Sequence, residues 1–190
     1  FQAFIDYYAS TKQEKPVFCM VSGEYAPPAT QHPKKIINTS ANAKLISAND
    51  SSGFTYRGRF IDDGQAMTMS YDASQKIHNA IHWLAANQGV YIGGRTFLCW
   101  NPKGIALPKP HASFLQRTKE KQIKYSDYRK ALSETLRGWK NTIPGDAGAV
   151  VASFDAATSG RLSLTYYSEM LAGDFLERLY EWDLICCWEH

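Results

Sequence analysis

No stretch of this sequence holds enough consecutive apolar residues to cross a bilayer, and no leader with a basic start and an apolar centre can be picked out. No membrane partner is therefore expected. Cysteine is sparse: Cys19, Cys99, Cys186 and Cys187 are the complete set, and none forms a C-x-x-C pair. The adjacent Cys186 and Cys187 are poorly placed to bridge each other or to close a tetrahedral metal site. A reduced, cytoplasmic protein is the simplest expectation. Catalytic signatures are missing as well. Gly93-Gly94-Arg95 lacks the G-K-[ST] end of a phosphate-binding loop and suits a tight turn better. There is no G-x-S-x-G elbow and no H-E-x-x-H. The expectation is a chain that is not an enzyme, with no catalytic residue, no bound metal and no cofactor. Internal repeats and low-complexity tracts are absent too.

What is present is an ordinary globular balance, with 44% hydrophobic and 21% charged residues. Aromatics reach 13%, enough for a core with some rings left for stacking surfaces. The net charge of +3 conceals an uneven spread. Residues 1–94 hold eight Lys/Arg against seven Asp/Glu, residues 95–140 eleven against three, and residues 141–190 two against eight. A basic middle suits a polyanion, and the acidic end forms a separate face or pairs with that middle.

Periodicity predicts an α+β fold in which antiparallel strands and hairpins pack with three or four helices. Phe1, Phe4, Ile5 and Tyr8 recur at helical spacing. A chain opening inside a helix on Phe1 is expected of a segment cut from a longer protein. Val17–Val21 reads as a short buried strand, 23–33 as a Pro-rich loop, and Lys44–Ser47 as a brief strand. The clearest helix covers 71–88, capped by Asp72 or Ser70 and stopped by Gly89, with Ala73, Ile77, Ala80, Ile81, Leu84 and Ala85 as its buried stripe. Val90–Ile92 and Thr96–Trp100 read as strands turning at Gly93-Gly94. A helix from Ser126 to Lys140, a hairpin of Ala149–Phe154 and Arg161–Tyr166, and a helix from Ser168 to Trp188 complete the pattern. Two parts are expected, 1–110 and 111–190, packed together.

The segment Asn49–Phe60 (NDSSGFTYRGRF) is the most unusual. It opens as a polar turn and then alternates, with Phe54, Tyr56 and Phe60 on one face and Thr55, Arg57 and Arg59 on the other. Arg57 and Arg59 suit phosphates, and Asn49, Ser51 and Ser52 can exchange hydrogen bonds with base edges. Lys34, Lys35, Lys44, Arg95, Lys119, Lys121 and Lys124 complete the candidate nucleic-acid contacts. A rival reading is a metal-dependent nuclease using the carboxylates of Asp50, Asp62, Asp63 and Asp72, although Asp62-Asp63-Gly64 also reads as a turn. His78 and His82 lie at metal-ligand spacing on one helix but have no carboxylate beside them. Cys19, Gly23 and His32 only faintly suggest a zinc knuckle, since that motif needs more than one cysteine.

The run from Lys44 to Phe60 is similar to a segment of the large subunit of the type I-C CRISPR Cascade. The order of its surroundings agrees: Val17–Pro27, then His32-Pro33-Lys34-Lys35, the helix with Asn79–Leu84, the strand Thr96–Trp100, and Gly160–Tyr167 leading to a helix that closes on Trp182, Cys187 and Trp188. The resemblance spans nearly the whole chain and implies a middle fragment of a longer subunit. It implies a non-catalytic role in an RNA-guided complex that reads the motif flanking target DNA and supports R-loop formation. The implied partners are target DNA, the other subunits of the complex, and the helicase-nuclease that the complex recruits. A purely structural module for docking subunits is a third possibility.

Overall fold

A computed structural model describes residues 2–11, 15–37, 42–46, 67–108 and 125–186. Among these, four helices and six strands follow in the order α1 (Gln2–Thr11), β1 (Val17–Phe18), β2 (Tyr25–Ala26), α2 (Tyr71–Gln88), β3 (Val90–Ile92), β4 (Arg95–Trp100), α3 (Tyr125–Thr142), β5 (Gly148–Thr158), β6 (Arg161–Leu171) and α4 (Ala172–Cys186). β1 and β2 form a two-stranded antiparallel sheet, and β3-β4-β5-β6 form a four-stranded one. The fold is α+β, as periodicity predicts. The chain divides into two compact units: 1–83 with 155–163, and 84–154 with 164–190.

The first unit is built on short backbone pairings rather than long strands. Val17 pairs with Ala26 and Phe18 with Tyr25. Between them the chain turns through Gly23, whose φ of 73° lies in the left-handed region that glycine adopts without penalty. The expected buried strand over 17–21 is therefore one edge of a small hairpin. Cys19 is buried, whereas Phe18, Met20 and Val21 are exposed. The segment before α2 runs alongside: Met20 N–H donates to Thr68 O, Ala29 N–H to Met69 O, and Tyr71 N–H to Pro27 O. The expected 23–33 loop is thus partly paired, through β2 and a bridge between Pro28 and Ser70.

Ser70 is the N-cap of α2, its hydroxyl accepting the Ala73 N–H at 3.2 Å. At the other end a Cβ on Gly89 would meet the Ala85 carbonyl oxygen at 2.3 Å, so only glycine closes the helix there. Of the predicted stripe, Ala73, Ile77, Ile81, Leu84 and Ala85 are half-buried, and the most deeply buried face lies to one side of it. Ser74 and His78 are fully buried, whereas Ala80 is exposed. Apolar spacing alone misplaced that face because the groups it meets, described below, are polar.

The second unit has a mostly apolar interior, with Thr96, Asn101 and Ser153 also buried. Cys99, Leu107, Ile143, Ala147, Ala149, Ala172, Phe175 and Leu176 form its core, with Leu136, Trp139, Met170 and Leu179 packed against it. β3 and β4 turn at Gly93 and Gly94, with φ of 56° and 87°. Two positive-φ residues in a row are the requirement of a type I′ hairpin turn, and Ile92 pairs with Arg95 across it. After β4, Asn101 organises the loop: its Oδ1 accepts the Lys103 and Ile105 N–H groups, and its Nδ2 donates to Gly148 O at the start of β5. α3 packs on α4, joined by a Lys140–Glu177 ion pair of 2.6 Å. α4 begins at Ala172, so Met170 and Leu171, expected on the last helix, belong to β6.

Candidate nucleic-acid interface

Three segments of the first unit, distant in sequence, meet side by side around Lys44. Lys34 and Lys44 are antiparallel partners, and Lys44 and Arg161 are parallel partners. Lys44 N–H donates to Gly160 O at 3.1 Å, Leu162 N–H donates to Lys44 O at 2.9 Å, and Lys35 N–H donates to Ala43 O at 3.1 Å. That last bond makes Lys34 and Lys44 a pair without direct hydrogen bonds, the geometry in which facing side chains come closest, at Cα separations of about 4.5 Å. Directly paired residues point to the same face of a sheet, so Lys34, Lys44 and Arg161 form one row of three cations.

Like charges placed opposite one another destabilise a sheet unless an anion joins them. Among the described residues, neither Lys34 nor Lys44 has an ion pair. Lys34 is exposed and Lys44 half-buried. Lys35, beside the row, is exposed and holds a φ of 59°, the left-handed region that a side-chain-bearing residue occupies at a cost. The backbone therefore holds this basic segment in a costly conformation next to the charge row. A planar guanidinium and two ammonium groups on one face suit phosphate oxygens.

A buried polar cluster lies near Lys44. The His78 Nδ1 lies 2.6 Å from Ser74 O, so this nitrogen carries the proton and donates to the carbonyl. The Ser74 hydroxyl and the His32 Nδ1 share a hydrogen bond of 2.9 Å. The two imidazoles stack with centroids 5.8 Å apart. Burial, then the neighbouring His78, then the Lys44 ammonium hold His32 down at about 4. Burial lowers His78 as well, partly opposed by its bond to Ser74 O. Both rings are neutral near pH 7, and Lys44 is close enough for its charge to be felt by His32.

Cys19 is similarly tied in. Burial raises its thiol, but hydrogen bonds from Ser22 and Ser70 outweigh that and bring it to about 6. Its sulfur accepts the Ser70 N–H at 3.2 Å and the Ser22 N–H at 3.4 Å, so it anchors the α2 cap to the β1–β2 turn. Burial raises Cys99, in the second unit, to about 12.

The sequence candidates divide accordingly. Lys34, Lys35 and Lys44 come together. Arg95 stands exposed at the start of β4, in the second unit. Asn49, Ser51, Ser52, Arg57, Arg59, Lys119, Lys121 and Lys124 lie outside the described residues, as do Asp50, Asp62 and Asp63. Asp72 pairs with Lys76 at 2.6 Å along α2. His78 and His82 diverge: His78 faces Ser74, whereas the His82 Nδ1 bonds Ile36 O at 2.9 Å. No group of three or more His, Cys, Asp or Glu side chains that could hold a metal occurs among the described residues. Arg161 is the residue that sequence reasoning did not single out. Its place in the row depends on pairing with a distant segment, for which the sequence carries no local signal.

A family model for CRISPR-associated protein (Cas_Csd1) matches residues 1–190. The chain belongs to this family. No curated protein matches it. Membership of Cas_Csd1 gives the chain a role in CRISPR-associated defence, in a complex with other Cas subunits. No helix among the described residues is long and apolar enough to cross a membrane.

Proposed function

We propose that this Cas_Csd1 chain is a non-catalytic, nucleic-acid-contacting part of the large subunit of a type I-C Cascade, supporting recognition of target DNA and R-loop formation. The observation that carries this reading is the row of Lys34, Lys44 and Arg161, three cations paired across three segments. In this reading the row holds the backbone of the nucleic acid, a contact indifferent to sequence. Arg57, Arg59, Lys119, Lys121 and Lys124 add phosphate contacts, and Asn49, Ser51 and Ser52 approach bases or the displaced strand. The other subunits and the recruited helicase-nuclease supply guide pairing and cleavage.

The test is the salt dependence of DNA binding by the assembled complex carrying Lys34→Gln and Arg161→Gln. Each lost phosphate contact should reduce the slope of log K against log salt by about 0.7–0.9 and weaken all target sequences alike. An unchanged slope and affinity in the folded double variant would overturn the reading. So would magnesium-dependent cleavage of DNA by the isolated chain that disappears in Asp72→Ala.

A further inference from the structure

Within the first unit, α2 is tied to the segment that carries two of the cations. The His82 Nδ1–H donates to Ile36 O at 2.9 Å. Ile36 and Ile37 are both buried, so the run that follows Lys34 and Lys35 is held by its side chains as well as its backbone. Lys34 and Lys35, immediately before that anchor, stay exposed. The turn of α2 around His82 and the two lysines are therefore neighbours on one surface.

Trp83 follows His82 and is 59% exposed. Ala80, Asn79 and Lys76 stand three, four and seven residues before it and are exposed too, so the four share one solvent face of α2. A helix that docks into a protein groove carries several large apolar side chains at this spacing. Here Trp83 is the one large ring, set beside a methyl group, an amide and an ammonium. Asp72 is the one acid of α2, and it pairs with Lys76. A ring beside an amide and close to two exposed cations is what a single strand of nucleic acid requires. The ring stacks on a base, the amide donates and accepts at the base's edge, and the cations meet the phosphates.

We infer that Trp83 stacks on one unpaired base of a single strand whose phosphates lie on Lys34 and Lys35, with Asn79 at the edge of that base. The inference deepens the proposed function and rests on it in one respect, that the cation row brings the strand there. It adds a preference the row cannot supply. Cations attract single strands and duplexes alike, whereas an exposed ring favours a strand whose base faces are open. His82 is a positioning residue here: its bond to Ile36 O holds the turn that bears the ring against the segment that bears the lysines.

The probes are a labelled thymidine oligonucleotide and a labelled duplex of equal length, titrated against the full chain by fluorescence anisotropy. Trp83→Ala should weaken the single strand by about tenfold, the usual effect of losing one stacking ring, and the duplex by less than about twofold. Lys34→Gln should weaken both, because both carry phosphates. An unlabelled single strand should quench tryptophan emission in the parent, and Trp83→Phe should lose most of that quenching while keeping most of the affinity. Asn79→Ala should narrow the difference in affinity between thymidine and adenosine oligonucleotides. A folded Trp83→Ala chain that binds the single strand like the parent, while Lys34→Gln still weakens it, would overturn the stacking inference and leave the cation row standing; the ring would then belong to a protein contact. Indifference to both substitutions would overturn the row as well. Equal weakening of strand and duplex by Trp83→Ala would also overturn the inference, since a duplex offers no open base face. If Trp83→Ala lowers the melting temperature, the quenching in Trp83→Phe decides the matter.

Discussion

The two units solve the same problem with different materials. The first buries His32, Ser70, Ser74 and His78 beside Cys19, Ile36, Ile37 and Met69, whereas the core of the second is built from Cys99, Leu107, Ile143, Phe175, Leu176 and small alanines. An apolar interior gains from every buried carbon and tolerates approximate partners. A polar interior gains little net free energy per hydrogen bond and loses heavily when one partner is missing. The first unit therefore depends more on a specific set of contacts and the second more on volume, although the second also buries Thr96, Asn101 and Ser153. Lys44 of the cation row lies close enough to this polar interior for His32 to feel its charge.

The largest expected effect is on the apolar side. Leu176→Ala, at a position 1% exposed in the second core, should destabilise the protein by about 2–5 kcal/mol through lost burial and the cavity left behind. Denaturant unfolding measures it, and a loss below 1 kcal/mol would mean that the core collapses freely around the gap, on the order of a surface change.

Next comes Ser74→Ala. Removing its hydroxyl leaves the His32 Nδ1 without its 2.9 Å partner and should cost about 1–3 kcal/mol. A neutral outcome would show that the two interiors do not differ as described. Because Lys44 is coupled electrostatically to His32, the same variant should also weaken DNA binding, whereas Leu176→Ala should not at temperatures where it stays folded.

The gentlest perturbation is acid. His32 is lowered to about 4 and His78 is lowered too, so both folded values lie below the unfolded value of about 6.5. The folded state then holds fewer protons than the unfolded one. Their contribution to stability is complete above about pH 6.5 and is lost as pH falls through that value toward about 4. Thermal melts across this window should show a falling midpoint in the parent and a flatter profile in His32→Gln. Parallel profiles would remove His32 as the cause.

Where elements were legible, local chemistry made them so. Ser70 and Gly89 delimit α2 through a cap and a steric limit that act within a few residues. Gly93-Gly94 set the β3–β4 hairpin because a type I′ turn requires two residues that accept positive φ. Ala149–Phe154 and Arg161–Tyr166 announced the long hairpin, although its strands extend through Thr158 and Leu171. What failed was any inference that needed to know a distant neighbour. The face of α2 was misjudged because Ser74 and His78 are buried by pairing with His32. Val17–Val21 was misjudged because its apolar side chains flank a turn rather than a core.

By itself, then, the sequence determined the alternation of helices and hairpins, the turns, and the separation of a basic middle from an acidic end, since each arises from residues close in the chain. Only the tertiary structure decided that Lys34, Lys44 and Arg161 share one face, that His32 closes on Ser74 and His78, and that Tyr166 and Trp182 line one groove. The physical reason is that strand pairing and the satisfaction of buried polar groups join segments whose local sequences carry no mark of one another.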